Sequence, residues 1–159
     1  GETEAALSLL QSALRKNPEA SVSRVNLADL YRTLGSEAAA RETLETGIAL
    51  NADDGALWFS LALLEVREGN AKQGLQALAK AASLEETPGY YHYVLAVAQN
   101  DQGLSTEALA TLKATHRAAP GQPNVLAALM QYSQLAGDRQ SAQRYRDELR
   151  ATVQAAGLQ

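Results

Sequence analysis

The sequence contains no cysteine. Disulfides, thiolate metal sites, covalent haem attachment and cysteine nucleophiles are thereby excluded from these residues together. Nowhere does an uninterrupted apolar run approach the roughly 20 residues that a membrane-spanning helix needs, and no signal-peptide pattern opens the chain, so membrane insertion is not expected. Neither sign of charge dominates. The 14 basic and 18 acidic residues are scattered for a net charge of −4, which leaves no basic face to neutralise a nucleic-acid backbone, and no nucleic-acid partner is expected. Histidine is scarce too. His92 and His116 fall in different expected helices, and neither has a carboxylate three or four residues away to complete a metal or acid–base pair on its own helix face. With no glycine-rich phosphate loop and no nucleophile elbow, the expectation is a chain that is not an enzyme, with no catalytic residue, no metal ligands and no cofactor. The paired carboxylates Asp53-Asp54 and Glu85-Glu86 stand at expected helix junctions. The first pair is expected to favour the start of the next helix, the second to be solvated.

What remains is 46% hydrophobic, carried by Ala and Leu, with aromatics at only 5%. Over 159 residues that is enough for one ordinary domain with a sizeable core, and the Ala/Leu/Glu/Arg profile implies an all-α class.

The arrangement is periodic. Gly1, Gly35, Gly69, Gly103 and Gly137 recur every 34 residues; four such coincidences at a preset interval have a chance probability on the order of 10⁻⁵. Leu27, Leu61, Leu95 and Leu129 recur in phase, followed by Ala28, Ala62, Ala96 and Met130. A second column holds Ala6, Ala40, Gly74, Ala108 and Ala142, with Leu10, Leu44, Leu78 and Leu112 four residues further on. A small residue followed at i+4 by Leu builds one tight packing seam on a helix. The period predicts helix pairs at about 21–34 with 37–50, 55–68 with 71–84, 89–102 with 105–118 and 123–136 with 139–153, after a lone helix at about 3–16. Ser36, Asn70, Ser105 and Asp138 are expected to cap the second helices, and Asn17-Pro18, Asn51 to Asp54, Thr87 to Gly89 and Pro120 to Pro123 to punctuate the repeats.

With its turn glycines, its small/large columns, Trp58 and Tyr31 at aromatic positions and Pro18 and Pro120 closing repeats, the chain resembles tetratricopeptide repeats over nearly its whole length. It departs where Glu65, Gln99 and Ser133 occupy the Tyr31 column and Ala52 and Glu86 the terminal proline column. The resemblance implies an all-α, right-handed α-α superhelical solenoid over 1–159, made of a half-repeat at 1–20 and repeats at 21–54, 55–88, 89–122 and 123–159. The last helix, polar at Gln143, Arg144, Arg146, Asp147, Glu148 and Arg150, is expected to cap the array. At the other end the register opens on a second helix. We expect a longer parent protein, or self-association as a homo-oligomer through Leu7, Leu9, Leu10 and Leu14.

In this family the first helices line a concave groove. Carried over column by column, that implies a protein or peptide partner held by Asn26, Asp29, Arg32, Phe59, Leu63, Arg67, Tyr90, Tyr93, Val97, Asn100, Gln131 and Gln134, with Val22, Val25, Val66, Asp101 and Asn124 on the same columns. Apolar and aromatic surface would supply energy, and Asn, Gln and Arg would bond an extended backbone. The matching columns lack the basic residues of the clamp that grips acidic C-termini of heat-shock proteins, so that mode is not expected. Val25-Asn26-Leu27-Ala28-Asp29-Leu30-Tyr31 and Tyr91-His92-Tyr93-Val94-Leu95-Ala96-Val97-Ala98 are similar to the C-terminal repeat region of bacterial multihaem cytochrome fusions. That narrower resemblance implies haem sites upstream and a periplasmic parent. Without it, a cytoplasmic location is equally compatible. The functional expectation is a non-catalytic interaction scaffold, with a structural, oligomerising or enzyme-docking accessory role as the alternative.

Overall fold

A computed structural model describes residues 1–157. Among them the chain forms nine α-helices and no strand: α1 (Glu2–Lys16), α2 (Ser21–Thr33), α3 (Glu37–Leu50), α4 (Gly55–Arg67), α5 (Ala71–Ser83), α6 (Tyr90–Asp101), α7 (Ser105–Ala118), α8 (Pro123–Leu135) and α9 (Arg139–Ala155). The 34-residue glycines end the first helix of each pair. Gly35, Gly69, Gly103 and Gly137 have φ between 72° and 82°, a left-handed conformation open to glycine at little cost. Around each, the following residue's N–H reaches back to the carbonyl five positions earlier, as from Ser36 to Tyr31 (2.9 Å) and from Asn70 to Glu65 (2.8 Å). The same bond runs from Leu104 to Gln99 and from Asp138 to Ser133, so all four turns satisfy the helix-end carbonyls alike.

The caps at the second helices are less uniform than expected. Asp138 does cap α9, accepting from Ser141 N at 3.0 Å, and Asp54 caps α4, accepting from Ala56 N at 2.9 Å. Ser36 and Asn70 occupy the cap positions of α3 and α5 without bonding the helix amides. The Asn70 side-chain NH2 donates instead to the carboxylates of Glu65 and Glu68, charge-assisted bonds that fix the orientation of the side chain away from the helix amides. Ser105 is the first residue of α7 and donates to Asn100 Oδ1.

The described residues form two compact units, Gly1–Leu84 and the part from Glu85 onward. In the first, α2 pairs with α3 and α4 with α5, α1 lies on α2, and α2 also touches α4. Its core joins Ala28, Ala40, Leu44, Leu57, Leu61 and Leu64, with Trp58 and Tyr31 at the margin. In the second, α6 pairs with α7 and α8 with α9, and α6 also touches α8. There Ala96, Ala108, Leu112, Val125, Leu126, Leu129, Tyr132 and Tyr145 form the core. The small-residue column is buried at Ala40, Gly74, Ala108 and Ala142, and its Leu partners at Leu44, Leu78 and Leu112 are at most 2% exposed. At Gly74 the seam is tight: an added Cβ would lie 2.7 Å from a Val66 methyl.

Candidate functional site

Within each unit the first helices lie side by side, so the faces they turn away from the second helices are the surface on which a partner could sit. In α2, the stripe Arg24, Leu27 and Ala28 is buried, which leaves Val22, Asn26 and Asp29 exposed. Arg32 is tied to Asp29 on the same helix at 2.9 Å, so the two candidates largely neutralise one another. In α4, Leu57, Leu61, Leu64 and Glu65 face the core, while Leu63, Val66 and Arg67 are exposed and Phe59 is half-buried. Arg67 Nε lies 3.1 Å from Glu37 Oε1, which draws this guanidinium towards α3.

In the second unit Tyr90 is 57% exposed at the start of α6. Tyr93 is half-buried against the core, its ring centroid 6.4 Å from that of Tyr90. Val97 and Asn100 are half-buried, and Gln131 and Gln134 on α8 are exposed. The structure thus brings Asn26, Asp29, Arg32, Leu63 and Arg67 to the α2/α4 surface, and Tyr90, Tyr93, Val97 and Asn100 to α6 beside Gln131 and Gln134. Leu135, 73% exposed on α8, belongs with them. Sequence reasoning passed over it although it stands 34 residues after Asp101, a position already assigned to the face.

Of the self-association residues on α1, Leu7, Leu10 and Leu14 are half-buried and Leu9 is 71% exposed.

The electrostatics lie behind this surface. Arg41 of α3 bonds Glu65 of α4 and Glu68 just past its end, and Glu65 also accepts from Asn70 at 2.9 Å. The Arg41 hydrogen bond, outweighing the cost of burial, holds the Glu65 carboxyl below its usual range and raises the guanidinium further above its own. Glu85 corrects an expectation, because it is not simply solvated. Its carboxylate accepts from the backbone N–H of Gly89 (3.1 Å), Tyr91 (3.1 Å) and His92 (3.3 Å) and meets His92 Nδ1 at 2.8 Å. Burial by itself would raise this carboxyl, but the bonds from His92, Tyr91 and Gly89 outweigh it and lower it. The chain connecting to α6 folds Glu85 back over the free amides at the helix start, up to seven residues along the chain. His116 likewise pairs across helices, its Nε2 3.3 Å from Glu148 Oε1.

Among the described residues no group of His, Cys, Asp and Glu could hold a metal ion, and no helix is long and apolar enough to cross a membrane.

Residues 1–64 and 59–123 each match a family model described as a tetratricopeptide repeat. Among solved structures the chain is similar to MamA, at 17% identity and TM-score 0.80 over 99% of this chain and 92% of that one. It is similar to YrrB, described as a TPR protein with an unusual peptide-binding site, at 20% identity and TM-score 0.69 over 95% and 78% of the two chains. Pseudomonas aeruginosa pilF is similar at 18% identity and TM-score 0.78 over 96% and 69%. No curated protein matches the sequence. These identities show the fold, while the two models, the left-handed turn glycines and the buried small/large seam show the family: the chain is a tetratricopeptide-repeat protein.

Proposed function

We propose that this chain is a non-catalytic protein-interaction scaffold that seats a peptide segment on the inner faces of its first helices. One observation carries the reading. Val22 (76% exposed), Leu63 (37%) and Val66 (49%) in the first unit, and Tyr90 (57%) and Leu135 (73%) in the second, are among the large hydrophobic residues left to solvent, and each stands on a first helix in a column that the family resemblance assigns to the groove. In each unit, exposed apolar side chains on the first helices, beside Asn26 in the first unit and Gln131 and Gln134 in the second, suit an extended or helical peptide, with the amides free to bond its backbone. The peptide-binding site named for the similar YrrB supports the same class of partner.

The reading is tested by selecting peptides on the purified chain from a random display library and measuring their affinity by fluorescence anisotropy. Leu63→Glu and Tyr90→Ser, both at exposed positions, should each weaken a selected peptide at least tenfold, about 1.4 kcal/mol, with the helical circular dichroism unchanged. Unaltered affinity in both variants refutes the reading.

The second reading is an oligomerising accessory role through α1, favoured by the exposure of Leu9. Leu9→Glu should then abolish any concentration-dependent rise in mass by light scattering. A wild-type chain that stays monomeric throughout the series removes this reading.

A further inference from the structure

A cleft of about 460 Å³ opens between two second helices, α7 and α9, remote from the inner face. It is lined by Lys113, His116 and Arg117 from α7 and by Arg144, Tyr145 and Glu148 from α9. Positions 113, 116 and 117 are i, i+3 and i+4 on one helix, so all three necessarily share a face. The opposite wall is anchored by Tyr145, which is buried, stands edge-on to the His116 ring at a centroid distance of 5.8 Å and has the Arg144 guanidinium 4.7 Å above its own ring. On a chain of net charge −4, three cations therefore converge on one concavity against a single lining carboxylate, Glu148, itself engaged by His116 Nε2 at 3.3 Å.

Asp138 also lies near Lys113 and Arg144, but its carboxylate accepts the Ser141 amide at the start of α9. His116 Nδ1 is buried with no hydrogen-bond partner among the described residues.

We propose that this cleft is an anion site for a phosphate monoester. Two guanidiniums and an ammonium match the charge and the several acceptor oxygens of a phosphate dianion better than those of one carboxylate, since the planar donors bond two oxygens at once. The aromatic floor fixes the guanidinium of Arg144 in advance of binding, which lowers the ordering cost. The count of charges along the sequence could not show this, because Lys113 and Arg117 belong to one repeat and Arg144 to the next, and they meet only in the folded second unit.

The two histidines make the test. Their imidazole C–H resonances are followed by proton NMR at fixed pH and ionic strength while inorganic phosphate, a phosphoserine peptide or the same peptide with serine is added. The His116 signals should move saturably in the low-millimolar range while those of His92, held by Glu85, stay fixed. Lys113→Gln and Arg117→Gln, each outside the core, should each weaken binding at least fivefold with unchanged circular dichroism. Saturation by inorganic phosphate alone identifies a free-anion site. At least tenfold tighter binding of the phosphoserine peptide than of either control identifies a phosphorylated partner segment. Parallel movement of both histidines, no saturation with any phosphate-bearing probe, or variants that bind as well as the wild type would overturn the proposal.

Discussion

Gly47 sits in α3 where the helix passes closest to Arg24 and Leu57. A methyl group added there would lie 2.6 Å from Arg24 Cδ and 3.0 and 3.1 Å from the two Leu57 methyls. Arg24 cannot easily yield, for Cδ lies in the middle of its side chain and the guanidinium is held by Pro18 O, at 3.1 Å from Nε and 2.7 Å from Nη2. Gly47→Ala should gain about 0.5–1 kcal/mol of helix preference and lose about 1–3 kcal/mol to overpacking. The net expectation is a loss of about 1–2 kcal/mol. In an Arg24→Ala background the nearest obstacle is gone and the Leu57 methyls, being side-chain ends, can shift by the few tenths of an ångström required. There the same substitution should be neutral or slightly stabilising, a coupling of about 1–2 kcal/mol. Urea unfolding followed by the fluorescence of Trp58, the single tryptophan, measures all four corners of the cycle. Its indole N–H bonds Ala52 O at 2.8 Å at the entry to α4, so it reports on this part of the first unit. Equal effects of Gly47→Ala in the two backgrounds, or stabilisation of the wild type, would refute the packing argument.

Glu65→Ala leaves Arg41 facing a space its partner had filled, and should cost about 2–4 kcal/mol by urea unfolding, whereas the double variant Arg41→Leu/Glu65→Leu should come within about 1 kcal/mol of the wild type. A double variant as unstable as the single one contradicts this. Glu85 supplies a pH dependence. Its folded carboxyl titrates below its ordinary value of 4.5, so its contribution is complete above that pH and is lost as the pH falls through the folded value. Glu85→Gln should therefore be about 1–2 kcal/mol less stable than wild type at pH 7, and the gap should narrow as the pH falls below 4.5; a gap that does not change with pH contradicts the assignment.

The helices and their turns were legible because a 34-residue period repeats the same local decision: a glycine that must adopt positive φ, a small residue and a Leu four positions on. Most boundaries agree within a residue or two, since turn and packing agree on them. Less legible were the polar partners. Ser36 has a capping side chain in the capping position yet makes no such bond, and Glu85 is drawn to amides and an imidazole that only the folded connection brings near. Leu135 and the α7/α9 cations show the same limit. A column tells which face a residue shares within its repeat, and not what the adjacent hairpin leaves uncovered beside it.

The departures from the family pattern follow a rule that links these observations. Arg24, Trp58, His92 and Leu126 succeed one another in one core column, and Tyr31, Glu65, Gln99 and Ser133 in another. Where a charged or amide side chain replaces an apolar one, a partner comes from beyond its own helix. Arg24 reaches Pro18 in the α1–α2 connection, Glu65 meets Arg41 of the preceding hairpin, His92 meets Glu85, and Gln99 Oε1 accepts from Thr111 of α7 at 2.9 Å. A buried polar group without such a partner would cost about 1–3 kcal/mol, so each exchange is tolerable only if the neighbouring element answers it. The consequence is directional. The interdigitated apolar columns set how successive helices cross, and a bonded polar pair adds one further constraint, a distance between two named side chains. The Arg41–Glu65 pair fixes α3 against α4 directly behind Leu63 and Val66. The α2/α4 part of the surface proposed for the partner is thus constrained from its reverse side as well, and the affinity of a peptide bound there should fall with Glu65→Ala even though Glu65 faces the core.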